Sequence, residues 1–257
     1  MLANSHHMFL SSKKSILFVC LMVAAIFLNN SKVSAEEKFL DSDWEEYYVS
    51  FQQAGPKYLE KDFETGIDAP AANNSIATAA DINSLLFFKE DRDDENLSVI
   101  NVENNIPHIL DLLEDRKVFS FEDFPKTGTF LKETEQDLNY FIFRDKLKFS
   151  RVRPSTLSDQ IEPVIENPAH ASYPSGHGAQ SYYTALVLSD INPVKRDIYI
   201  KAAKEISHRR EIAGIHFPTD TAAGYRLAEN VYEALMQKQE VKKLFLEAKK
   251  EFENKVI

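Results

Sequence analysis

Cysteine, glycine and long apolar stretches are all scarce in this sequence. Its one cysteine, Cys20, lies near the N-terminus, which rules out an internal disulfide framework and a cysteine-based zinc site. Only seven glycines occur in 257 residues, and strand-like alternation of apolar and polar side chains is rare, so a hairpin-rich β fold is disfavoured. After Leu28 no apolar run approaches the roughly 20 residues that a spanning helix needs. Positive charge is also in deficit, with 30 Lys and Arg against 40 Asp and Glu, a net charge of −10. Such a chain repels nucleic acid and anionic membranes at long range. No nucleic-acid partner is therefore expected, and any local cluster of cations runs against the trend.

The N-terminus departs from the rest. Lys13 and Lys14 precede an unbroken apolar run at 16–28, and Val33, Ser34 and Ala35 supply small residues before an acidic stretch. Charge, apolar core and small-residue exit are the three parts of a secretory signal peptide. Residues 1–35 hold three lysines and no acid, so the remaining 222 residues carry −13. That length suits one domain with a full core. The expected organisation is a signal at 1–35, an N-terminal extension at 36–67 and a helical domain at 68–257. The expected location is the periplasm or the exterior, with no stable membrane insertion once the signal is cleaved.

Helical spacing of apolar residues recurs along the remainder. Ser75 caps a segment with Ile76, Ala79, Ile82, Leu85 and Leu86 on one side. Pro107 fits the first turn of another, followed by Ile109, Leu110, Leu112 and Leu113. Residues 129–152 read as one long helix stopped by Pro154. Residues 155–173 read as loop. Helices then follow from Ser175 to about 189, from Pro193 to about 213 with Gly214 as the stop, from Pro218 through Leu235, and at about 241–252. The predicted fold class is all-α, a helical bundle in a single domain.

Three short segments concentrate the remaining chemistry. In "KLKFSRVRP", Lys146 and Arg153 are seven residues apart, which on a continuous helix places them on one face. "YPSGH" puts Ser175, Gly176 and His177 at a helix start. "RREIAGIHFPTD" carries Arg210, His216 and Asp220. Taken singly, these are more often a solvated helix face, a plain cap and a surface network than parts of a site.

Together they meet the needs of one reaction, phosphomonoester hydrolysis. Lys146, Arg153 and Arg210 would bind phosphate oxygens, arginine as a planar fork and lysine as a point charge. Ser175 and Gly176 would add a hydroxyl and backbone N–H groups at a helix N-terminus that favours anions. Asp220 can accept the Nδ1–H of His216 and leave Nε2 free to attack phosphorus. His177 can protonate the leaving oxygen. His108 and His208 read as surface or structural residues, and His170 as a candidate for the rim. With no HExxH, no available cysteine ligands and no tight His-x-His pair, neither a metal nor another cofactor is expected.

"K-six residues-RP", "PSGH" and "R-five residues-H-three residues-D" resemble the three-part signature of the type-2 phosphatidic acid phosphatase and vanadium haloperoxidase superfamily. "SYPSGH" and "TALVLSDINP", together with the tail around "LFLEAKKEF", are similar to its secreted class A non-specific acid phosphatases. The resemblance is clear over 146–252 and faint over 68–145. It implies a haloperoxidase-like helical bundle, no metal, a homodimer and small phosphomonoester substrates. It assigns phosphate binding to Lys146, Arg153, Ser175, Gly176 and Arg210, and makes His216 the nucleophile, His177 the general acid and Asp220 the partner of His216. The family usually has serine where this chain has Arg209, so that residue either adds charge near the site or points to solvent. Lipid phosphate hydrolysis and vanadate-dependent halide oxidation are the alternative activities within the same superfamily.

Overall fold

The computed structural model describes residues 37–106 and 108–256. The expected signal at 1–35, with Cys20, and Pro107, expected in a first helical turn, lie outside the described residues. The fold is all-α: the described residues form ten α-helices and three short 3-10 turns, and their only β pairing is an isolated bridge between Lys38 and Arg151.

The scaffold centres on α7 (Gly176–Ile191). This helix is apolar or small on most of its circumference, as a helix enclosed by others must be. It packs against α5 (Pro125–Phe149), α8 (Arg196–Ile212) and α9 (Pro218–Leu235). Phe130, Leu138, Phe141 and Ile142 of α5 meet Tyr183 and Val187 of α7 and Leu227, Val231 and Leu235 of α9 in the main core. Close approach of α9 depends on Gly224, where a Cβ would lie 2.7 Å from the Ser175 carbonyl oxygen and 3.0 Å from the Ala179 nitrogen. The C-terminal α10 (Gln239–Val256) is amphipathic and docks on α5 through Val241, Phe245 and Ala248.

Ahead of this scaffold lie α1 (Glu46–Ala54), α2 (Ile76–Phe88), α3 (Asp94–Asn105) and α4 (Ile109–Asp115). Ser75 caps α2 by accepting from the Thr78 N–H at 3.2 Å, as its position predicts. The segment after α1 is fixed to α5 by one buried carboxylate. Asp137 accepts from the backbone N–H groups of Lys57, Tyr58 and Leu59 at 2.8–3.2 Å.

Several local expectations need correction. α3 was not anticipated, because its sequence is polar and only Leu97 and Ile100 mark an inner face; Asp93 starts it, accepting from Asn96 N–H at 2.8 Å. The long helix begins at Pro125 rather than 129 and ends at Phe149, because Ser150 turns left-handed (φ 48°). The helix therefore stops before Pro154 can stop it, and Pro154 opens a one-turn helix, α6 (Pro154–Leu157), inside the expected loop. Arg153 is consequently not on the helix that carries Lys146. It stands at the end of an extended segment, residues 151–153, so the shared helical face inferred from the spacing of seven does not exist.

Candidate active site

Three stretches of the chain deliver the predicted residues to one end of α7. The last turns of α5 supply Lys146, and the extended segment after Ser150 supplies Arg151 and Arg153. The start of α7 supplies Ser175, Gly176 and His177. The end of α8 supplies Arg210, Gly214 then reverses the chain with φ 78°, and His216 and Asp220 follow at the start of α9. Ser175 caps α7 by accepting from the Gly178 N–H at 3.2 Å, and its own N–H donates to the Asp220 carbonyl at 2.9 Å. The first turn of α7 is thus tied to the first turn of α9.

His216 is buried and held from both sides. Its Nδ1 lies 3.2 Å from Asp220 Oδ2, and an Arg153 Nη1–H points at its Nε2 from 3.2 Å. This pattern fits the neutral tautomer with the proton on Nδ1. Burial, reinforced by Arg153, lowers the pKa of His216 to about 3, against the pull of Asp220. Burial favours a protonated Asp220, but Arg151, His216 and the Phe217 N–H outweigh it and hold the carboxyl below its usual range. Asp220 also caps α9 by accepting from Phe217 N–H at 3.0 Å, a helix N-terminus being the place where an anion is favoured.

Arg151 is the residue that sequence reasoning missed. Its guanidinium donates to Asp220 Oδ1 at 2.6 Å, to Thr219 Oγ1 at 2.8 Å and to Asp81 Oδ2 at 3.2 Å, and it lies 3.9 Å over the Phe217 ring. Asp81 comes from α2 and is joined to Thr219 as well. The signal was present in "RVR". Residues i and i+2 of an extended chain share a face, so Arg151 and Arg153 reach Asp220 and His216 together. Assigning the segment to a helix hid that relation.

The cations behave differently from Arg151. Among the described residues, Lys146, Arg153 and Arg210 are buried and none of them forms an ion pair. Lys146 donates to the carbonyls of Ala171 and Ser172 at 2.7 and 3.0 Å. Arg153 donates to the carbonyls of Ile215 and His170 at 2.8 and 3.0 Å. Arg210 reaches only Asn104 Oδ1, at 3.5 Å, and its Nε and Nη1 have no partner. Burial lowers the pKa of Lys146, takes Arg153 down to about 9 and takes Arg210 down to about 10. Uncompensated buried cations are costly, and an anion would relieve that cost. At Gly176 an added Cβ would meet only Ile142 at 3.9 Å and Lys146 Cε at 4.0 Å. Protein packing alone therefore does not demand glycine there; its bareness leaves room beside the Lys146 stem.

A cavity of about 420 Å³ opens onto Gly176, His177, Arg210 and His216. His177 stands in its wall with its pKa pushed down by burial and by Arg210, His216, Lys146 and Arg153. All eight predicted residues are thus gathered at this end of the bundle, Lys146, Arg153 and Ser175 lying behind the residues that face the cavity. His170 is buried deeper than a rim position, with Nδ1 3.1 Å from Arg153 Nη2. His108 is exposed and lines the same cavity, whereas His208 pairs with Glu211 at 2.9 Å away from it. Arg209 neither enters the cavity nor faces solvent. It donates to the buried Glu103 of α3 at 2.7 Å, and Arg116 binds the same oxygen.

Residues 136–238 match the model of the PAP2 superfamily. Non-specific acid phosphatases of Providencia stuartii and Salmonella typhimurium are 31% and 30% identical over 138 and 142 residues. Those alignments cover 51% and 53% of this chain, and 55% of each relative, so the chain spans about half the length of the curated relatives it matches. A bacterial vanadium-dependent iodoperoxidase has a similar fold, with a TM-score of 0.58 at 16% identity over 79% of this chain and 62% of that one. The bundle is therefore a haloperoxidase-like helical fold, and the part of it at 136–238 is similar to the PAP2 superfamily.

Proposed function

We propose that this PAP2 superfamily chain is an acid phosphatase that hydrolyses small phosphomonoesters through a phosphohistidine on His216. One observation carries the reading. A neutral imidazole is fixed at Nδ1 by Asp220, and its Nε2 shares a cavity end with three buried cations that lack acidic partners. The names of the acid phosphatase relatives support the same activity.

In the proposed reaction the phosphoryl oxygens lie against Lys146, Arg153, Arg210, Ser175 and the N–H groups at Gly176. Arg153, whose Nη1 lies 3.2 Å from Nε2 of His216, turns its donors to the anion. His216 Nε2 then attacks phosphorus. The P–O ester bond breaks as the P–N bond forms, and His177 gives its proton to the leaving oxygen. The imidazolium character that develops on His216 is stabilised by Asp220, which Arg151 keeps ionised. In the second half, neutral His177 takes a proton from water, the water oxygen attacks phosphorus and the P–N bond breaks. Inorganic phosphate leaves, and both histidines return to their starting states. The cations supply the charge stabilisation, so the scheme uses no metal.

His177 must be protonated when substrate is bound. Burial and the neighbouring cations depress its pKa, and a bound phosphate dianion offsets those cations, so binding itself raises the acid toward working range. Activity is expected on the acidic side of neutrality. The signal-like N-terminus places this activity in the periplasm or outside the cell. Among the described residues no helix is long and apolar enough to cross a membrane.

The test is rapid quenching with a labelled aryl phosphate. Label that is stable to alkali and lost in acid, and absent from His216→Ala, is the expected result. Turnover that persists in His216→Ala, or that vanishes in EDTA and returns with zinc, overturns the scheme. Faster turnover of micellar phosphatidate, or bromide oxidation after loading with vanadate, would move the activity elsewhere in the superfamily.

A further inference from the structure

The cavity above the cradle has an aromatic wall that the proposed chemistry does not use. Tyr47, Tyr48 and Phe51 of α1 line it together with Phe143 of α5 and His170. The rings form a continuous series. Tyr47 meets Phe51 edge-on at 5.3 Å, Phe51 stacks on Phe143 at 4.9 Å with planes 6° apart, and Tyr48 stacks on Phe143 at 5.3 Å and meets His170 edge-on at 4.4 Å. His170 in turn touches Arg153. The wall therefore runs without a break from the cavity mouth to the phosphate cradle.

Packing accounts for only part of it. α1 has no buried residue. It is anchored to α5 by the Phe51–Phe143 stack and by Gln52, which donates to the Tyr140 carbonyl at 2.8 Å. Tyr47 adds little to that anchor, since 58% of it is exposed. The opposite wall is polar. Glu135 lines it near Asn139, which accepts from Gln180 at 2.8 Å.

We propose that α1 supplies the leaving-group subsite, and that the cavity selects phosphomonoesters whose leaving group is flat and aromatic. The proposal rests on the phosphatase reading for its use, but not for its test. α1 lies outside the 136–238 region matched to the superfamily, so this selectivity would be carried by a part of the chain separate from the reaction chemistry. A ring bound here would stack or meet edges with the α1 side chains while its phosphoryl group reaches Arg210 and His216.

Phenylphosphonate and methylphosphonate are non-hydrolysable probes that differ only in the group facing this wall. Calorimetric titration of the full chain is expected to give tighter binding of the phenyl compound, on the order of tenfold, from aromatic contacts and buried ring area. Tyr47→Ala and Phe51→Leu should each cut that ratio about threefold or more, while Tyr47→Phe keeps it. Inorganic phosphate, which reaches only the cradle, reports that each variant is folded. A ratio near one in the unsubstituted chain, or a ratio unchanged in both variants, overturns the subsite. Turnover combined with a ratio near one would leave the phosphatase reading standing and remove the subsite. A tenfold ratio without turnover would do the reverse.

Discussion

Arg151 and Arg210 are both buried arginines within one constellation, yet their surroundings are opposite. The two Nη groups of Arg151 are engaged by Asp220, Asp81 and Thr219, and its plane lies on Phe217. Arg210 has one long contact to Asn104 and two nitrogens without partners. The first is a closed ion-pair network that orients His216 through Asp220. The second is an open cation, held in place by its helix and left incomplete by the protein. The contrast separates what the fold uses for its own stability from what it holds ready for an anion.

The largest effect that tests this division is on stability. Arg151→Leu leaves Asp220 and Asp81 buried without their cation, and breaking such a pair costs about 3–5 kcal/mol. Denaturant melts should show that loss, with activity falling as His216 loses its fixed orientation. Arg210→Leu should leave the melt of the ligand-free protein within about 1 kcal/mol of the parent, because no ion pair is broken. Its cost appears instead in binding. Charge-assisted hydrogen bonds are worth about 1.5–3 kcal/mol, so affinity for inorganic phosphate should fall roughly 10- to 100-fold. Equal destabilisation by the two substitutions would erase the distinction.

A second, smaller effect depends on pH. His170, His177 and His216 all have folded pKa values lowered by burial and neighbouring cations, His216 to about 3. The unfolded chain, with histidine near 6.5, takes up protons that the folded state refuses. Their contribution to stability is therefore complete above about pH 6.5 and is lost as the pH falls toward the folded values. The Tm of the ligand-free protein should drop between pH 7 and pH 4.5, and saturating inorganic phosphate should reduce the drop by offsetting the cations. A Tm decline of the same size with and without phosphate would show that these histidines do not feel the anion site.

The smallest effect concerns Arg209. Because it pairs with Glu103 behind the cavity, and Arg116 holds the same carboxylate, Arg209→Ser should change phosphate affinity by no more than about twofold. A larger change in titration would give Arg209 a share in the cradle.

Much of the site was legible in the sequence because its motifs are local. Ser175-Gly176-His177 at a helix start, and Arg210, His216 and Asp220 around Gly214, each depend on short-range geometry that residue types announce. The cap at Ser75 and the helix opened by Pro218 were legible for the same reason. Less was legible where a period had to be chosen. Ser150 carries no strong breaking signal, so the helical spacing of 129–147 was extended through 152. That single choice put Arg153 on a helix face and left Arg151 without a role. α3 was hidden by its polar composition. The role of α1 was hidden as well, because its aromatic residues have meaning only against Phe143 and His170.

By itself the sequence determined the residue chemistry and most of the helices, since both depend on side-chain type and neighbours a few positions away. It also determined that cations suited to an anion were available in an acidic chain. Only the tertiary structure decided which cations would be neutralised. Arg151 meets Asp81 and Asp220 across 70 and 69 residues, while among the described residues Lys146, Arg153 and Arg210 form no ion pair. Pairing of buried charges is set by distances across the packed bundle, and no spacing along the chain encodes them.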